Sequence, residues 1–107
     1  MRRRAFLQTS AGLAASAAAV ETAPPIPTVR FGKTQITRLI IGSNPFYGYS
    51  HTNRALDQCM REFYTQDRRM EVLHAAERNG INTWQLHYDT QPIADFQRYR
   101  AGAGRCI

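Results

Sequence analysis

Arg38-Leu39-Ile40-Ile41-Gly42 is a short, unbroken apolar run that stops at a glycine. A parallel-sheet strand covered on both faces has this composition, because no position along it needs to meet water. Immediately upstream, Thr28-Val29-Arg30-Phe31 and Gln35-Ile36-Thr37 flank Gly32-Lys33-Thr34, which reads as a tight hairpin. Downstream, Ile81-Asn82-Thr83-Trp84-Gln85-Leu86-His87-Tyr88 is β-branched and aromatic with enough alternation for a second strand. The segments between and after these strands decide how they are joined.

Thr52 or Asn53 can cap a helix whose apolar positions Ala55, Leu56, Cys59, Met60 and Phe63 form one stripe, predicting a buried face. Tyr64-Thr65-Gln66-Asp67 interrupts it. Asp67 can cap a further helix over Arg68–Asn79, with Met70, Leu73, Ala76 and Val72 inward and Gly80 stopping it. A last helix is expected over Ile93–Arg100, with Ile93, Phe96 and Tyr99 or Arg100 on one side, ended by Ala101-Gly102-Ala103-Gly104. Strand, helices, strand, helix is a βαβα order, which calls for a parallel sheet with right-handed crossovers. The fold class is therefore α/β. Two strands do not close a sheet, and 107 residues are too few for a complete (β/α)8 barrel of roughly 200 or more.

The amino-terminal stretch has a different character. Met1-Arg2-Arg3-Arg4-Ala5-Phe6-Leu7 leads into an Ala-rich, mildly apolar run ending in small residues, the layout of a signal peptide. Arg2, Arg3, Arg4, Phe6 and Leu7 resemble the core of a twin-arginine (Tat) signal, a receptor-read address rather than an anchor. The resemblance implies the Tat translocation machinery as a partner and export to the periplasm or exterior. The apolar run is too short and too weak for a stable membrane anchor. The expected organisation is a signal over 1–19, a Pro-rich linker over 20–27 and a folded part over 28–107.

The formal charge of +6 falls to +3 without residues 1–19, which hold three arginines and no acid. The remaining helical arginines, Arg69 among them, alternate with acids such as Asp67 and Asp95, as solvated helix faces do. No nucleic-acid partner is expected. Cys59 and Cys106 lie 47 positions apart with no second ligand at metal-type spacing, and the reading favours no bridge between them.

Val29-Arg30-Phe31-Gly32-Lys33-Thr34 and Ile36-Thr37-Arg38-Leu39-Ile40-Ile41-Gly42 resemble the opening hairpin and first barrel strand of the aldo/keto reductases. Ala75-Ala76-Glu77-Arg78-Asn79-Gly80-Ile81-Asn82 resembles that family's helix-to-strand junction. The resemblance implies the opening hairpin plus the first two βα units of an incomplete TIM barrel. It also implies NADP as the cofactor of a complete relative, though not one expected for this chain. At the positions of the family's catalytic Asp and Tyr this sequence has Gln85 and Thr90. Tyr88 and Asp89 are out of register with them by two and four residues.

Function in such barrels sits at the carboxyl ends of the strands. That places Ser43, Asn44 and Gln85 as candidate substrate-binding residues. His87 and Asp89, two apart at a strand end, become a candidate catalytic pair or two metal ligands. The loop Ser43–His51 carries Phe46, Tyr47 and Tyr49, which either face a ligand or plug the core. The first expectation is an exported barrel segment inactive alone, whose complete form takes a small polar or carbohydrate-like substrate. One alternative is a small exported binding or assembly module. Another is a metal-dependent barrel isomerase or hydrolase using His87 and Asp89, with the metal unspecified.

Overall fold

The computed structural model describes residues 25–107. The expected signal segment and most of the linker lie outside the described residues. The protein is mixed α/β: β1 (Thr28–Phe31), β2 (Thr34–Thr37), α1 (Asn44–Tyr47), α2 (Arg54–Phe63), α3 (Gln66–Arg78) and α4 (Thr90–Ala101).

β1 and β2 form the expected antiparallel hairpin, with Val29 opposite Ile36 and Phe31 opposite Thr34. Gly32 takes the first turn position at φ 61°, the left-handed conformation that primed two-residue turns need. Little of the hairpin is buried, and Asn82 fastens it to the rest. Asn82 Oδ1 accepts from Thr37 N at 2.8 Å, and its Nδ2 donates to Gln35 O at 3.0 Å. The asparagine of the Gly80-Ile81-Asn82 junction therefore serves as a clamp between hairpin and strand.

The two expected strands contract to single paired residues. Ile41 and Trp84 form an isolated parallel bridge, with Ile41 N donating to Thr83 O at 3.0 Å and Gln85 N to Ile41 O at 2.8 Å. A third segment joins on the other side: Ile107 N donates to Asn82 O at 2.8 Å, and Trp84 N donates to Ile107 O at 2.9 Å. This slanted exchange is the parallel pattern again. Chain order and spatial order thus agree across Ile41, Trp84 and Ile107.

Burial on both faces of Arg38–Gly42 is not found. Ile41 packs on the core, whereas Ile40 is 45% exposed and Leu39 is exposed beside it. The helices cover only one side. Met70 and Leu73 of α3, Tyr99 of α4, Phe46 and Tyr47 of α1, Trp84 and Cys106 make the core there. The opposite side is an apolar hollow of about 510 Å³, walled by Phe31, Ile36, Ile40, Thr83, Leu86 and Ile107.

α2 begins as expected, with Asn53 Oδ1 accepting from Leu56 N at 2.8 Å, but its stripe faces outward. None of its residues is buried; Leu56 is 40% and Phe63 55% exposed, and Cys59 is exposed between them. Two close contacts set this rotation. Ser50 N donates to Asp57 Oδ1 at 2.7 Å, and Gly48 (φ 76°) lies so close to Asp57 and Arg61 that a Cβ there would sit 2.6 Å from both. Asp57 and Arg61 therefore face α1, and the stripe turns away.

α3 is capped by Thr65, whose Oγ1 accepts from Arg68 N at 3.3 Å, two residues before the expected Asp67. It ends as expected at Gly80 (φ 91°), where Ile81 N reaches back to Ala76 O and Gly80 N to Glu77 O, the doubled closure of a Schellman motif. Val72, expected inward, is exposed. α4 starts at Thr90, three residues earlier than the apolar periodicity suggested.

Candidate functional site

The carboxyl ends of the two bridged segments are tied together. Ser43 Oγ–H donates to Gln85 O. Beside this tie, Ser43, Asn44, Gln85, Leu86 and His87 line a rim hollow of about 110 Å³. Four of the candidate residues thus share one small concavity, as expected of residues at two adjacent strand ends.

Phe46 and Tyr47 lie below it instead of lining it. Phe46 packs edge-on against Tyr47, Tyr64 and Trp84, so the loop's aromatics act chiefly as a plug. Tyr49 is the one of the three that stays at the surface, 46% exposed. The His87 ring fits between Tyr47 and Tyr49, 5.3 Å from each ring centre and nearly perpendicular to both. Asp89 does not join the hollow. Its Oδ1 accepts from Thr90 N at 2.7 Å, making it the cap of α4. The spacing that suggested a His87–Asp89 pair holds only while the chain stays extended, and at Tyr88 it already bends toward the helix.

A buried polar cluster around Tyr47 and Asp95 was not anticipated. Arg69, 5% exposed, and Asp95, 0% exposed, form an ion pair with Arg69 Nε 2.7 Å from Asp95 Oδ2 and Nη2 3.2 Å from Oδ1. Asp95 also accepts from Tyr47 OH at 2.7 Å and Gln66 Nε2 at 2.9 Å, and Arg69 donates to Tyr64 O. Both partners read as members of solvated faces. Their positions carried a signal all the same: Arg69 shares a helical face with Leu73, and Asp95 with Pro92 and Tyr99, all buried. Burial first, then the bond to Asp95, pushes the Tyr47 hydroxyl well above the usual tyrosine range, so it stays a proton donor.

A second hydroxyl, that of Tyr99, donates to Glu77 Oε2 and accepts from Arg105 N at 3.1 Å and Cys106 N at 3.2 Å. Glu77 is held below the usual carboxylate range, chiefly by that Tyr99 bond. Gly104 crosses the Tyr99 ring so closely that a Cβ would lie 2.3 Å from it. These contacts seat Ile107 beside Trp84.

Ser43, Asn44, Gln85 and His87 meet at these segment ends, and Asp89 is not among them. The Ser43 proton is committed to Gln85 O, and His87 is oriented by aromatic edges rather than by a carboxylate. No group of three or more His, Cys, Asp or Glu side chains close enough to hold a metal occurs among the described residues. The acid–base residues that the resemblance associates with a nicotinamide cofactor are not matched at these segment ends either. An amide at Gln85 and a helix-starting Thr90 stand where the resemblance calls for acid–base groups. Comparison with protein-family models, with curated proteins and with solved structures finds no match to this chain.

Proposed function

We propose that this chain forms the opening hairpin, the first two βα units and the start of a third strand of an exported (β/α)8 barrel resembling the aldo/keto reductases. Its rim at Ser43, Asn44, Gln85 and His87 forms part of a binding mouth for a small polar or carbohydrate-like ligand. The observation that carries this reading is the parallel hydrogen-bond order Ile41–Trp84–Ile107, with α3 and α4 on one side and an open apolar hollow on the other. In a barrel, that hollow faces the interior, where side chains from the remaining strands fill it. Gln85 and Thr90 argue for binding or non-redox chemistry rather than hydride transfer.

The decisive test is the reading frame beyond the codon for Ile107 in genomic DNA. Further βα units are expected there. A verified stop codon, combined with a sharply unfolding monomer in light scattering and urea titration, overturns the barrel reading. The second reading, a module that completes its sheet with another copy, is favoured by the same exposed Ile40 and hollow. It is distinguished by a defined oligomer in which Ile40 becomes protected. Export is tested separately with the full chain. Arg3→Lys together with Arg4→Lys is expected to retain the protein inside the cell, and unchanged export would remove the Tat assignment.

A further inference from the structure

We propose that the outward stripe of α2 is a self-association surface that seats the same stripe of a second copy of this chain, antiparallel and two-fold about Cys59. Ala55, Leu56, Cys59 and Phe63 lie along it, all exposed. Single exposed apolar side chains are ordinary on a protein surface, whereas a continuous row along one helix marks a contact face. The row is not free to turn inward. Ser50 N holds Asp57 at 2.7 Å, and Gly48 approaches Asp57 and Arg61 closely, so the opposite side of the helix is fixed on α1. Arg68 covers one face of the Phe63 ring at 4.3 Å, and the residue is still 55% exposed. Taking the rest out of water requires a surface from another molecule.

The charge pattern of α2 selects both the occupant and its direction. Residues four apart stack on a helix, so Ala55, Cys59 and Phe63 form one row and Arg54, Gln58 and Glu62 form the row beside it. Arg54 and Glu62 make no ion pair among the described residues, and Glu62 Oε1 accepts from Gln58 Nε2 at 2.8 Å. A parallel copy would set Arg54 against Arg54, Glu62 against Glu62 and Phe63 against Phe63. An antiparallel copy instead sets Arg54 against Glu62, Gln58 against Gln58, and the bulky Phe63 against the small Ala55. Leu56 then packs beside Phe63 of the second copy, and the two-fold repeats each contact. The surface is thus complementary to itself in charge and in shape. Helix axes about 8–10 Å apart leave facing Cα atoms roughly 3.5–5.5 Å apart, a range that overlaps what a disulfide spans. One ten-residue helix makes a contact at the small, transient end of protein interfaces. No α2 residue lines the apolar hollow, so this pairing is separate from completion of the sheet beside Ile40.

The test follows the full chain by light scattering and sedimentation from about 10 μM to about 1 mM, where a monomer–dimer equilibrium is expected. Ile40→Lys blocks association through the apolar hollow and is expected to leave this equilibrium unchanged. Arg54→Glu and Glu62→Arg each turn both cross-copy attractions into repulsions, so each is expected to weaken the dimer about tenfold. The double variant is expected to restore it. Each substitution also places its charge favourably on the helix dipole, so a lost dimer is not a lost helix, which circular dichroism checks. Diamide takes up the two protons and two electrons released when two thiols join. It is expected to trap a covalent dimer that Cys59→Ser abolishes, since Cys106 is buried. A chain that stays monomeric throughout, or a double variant no tighter than either single one, overturns the proposal. So does a dimer that Ile40→Lys dissociates and the charge variants leave intact, which would assign association to the open sheet instead.

Discussion

α2 and α4 invert what their sequences suggest. α2 has the cleaner apolar stripe, through Leu56, Cys59 and Phe63, yet none of its residues is buried. α4 mixes polar and apolar residues around its circumference, yet it buries Tyr99, Pro92 and the charged Asp95. The difference teaches that amphipathicity reports a capacity for burial, while rotation about the helix axis is set by fixed polar anchors. For α2 the anchors are Asp57 on Ser50 and the close approach of Gly48. For α4 they are Asp95 on Arg69 and Tyr47, and Tyr99 on Glu77.

Four substitutions press on this contrast. Asp95→Ala strands Arg69 without its counter-charge in a buried setting and should cost about 3–5 kcal/mol in urea unfolding. A loss under 1 kcal/mol would mean that α4 is not held by its ion pair. Leu73→Ala removes the most deeply buried aliphatic side chain and should cost about 2–5 kcal/mol, with the value rising if the cavity stays open. Gly80→Ala forces a Cβ into φ 91° at the end of α3 and should cost about 1 kcal/mol, read as a lowered urea midpoint. Phe63→Ser on the outward stripe of α2 should cost the monomer only about 0.5–1 kcal/mol, through its edge contact with Tyr64 and the Arg68 guanidinium over its ring. A larger loss would show that the stripe is covered in solution.

The Glu77–Tyr99 contact adds a pH dependence on the α4 side. Folding lowers the Glu77 carboxyl below its unfolded value of about 4.3. Its contribution is fully present above that value and disappears as pH falls through the lower folded value. Glu77→Gln should flatten this part of the acid limb in a series of urea titrations at different pH. An unchanged limb would assign the acid sensitivity to other carboxylates.

Much of the local structure was legible. Asn53 as a cap, Gly80 as a helix stop and the hairpin at Gly32 follow from side-chain and backbone chemistry within a few residues. The proximity of Ser43, Asn44, Gln85 and His87 was legible too, because adjacent parallel segments bring their carboxyl ends together. Asp89 was misplaced because period-two alternation was carried past the point where the chain turns into α4. Ile107 went unread as a strand residue, since a bare Arg105-Cys106-Ile107 has no periodicity to offer. Its place comes from the Tyr99 hydroxyl and the absent side chain at Gly104.

The amino-acid sequence by itself determined the start of α2 at its Asn53 cap, the stop of α3 at Gly80, where the hairpin turns, and that apolar segments alternate with helices. Those features depend on contacts between near neighbours, so a short window contains their causes. Only the tertiary structure decided that Arg69 and Asp95 go inside, that the stripe of α2 goes outside, and that Ile41, Trp84 and Ile107 lie side by side. Each of those outcomes depends on partners far apart in the chain: Arg69 with Asp95, Tyr47 with Asp95, Asn82 with Gln35. A charge is expensive to bury until its counter-charge arrives, and that arrival is a property of the fold.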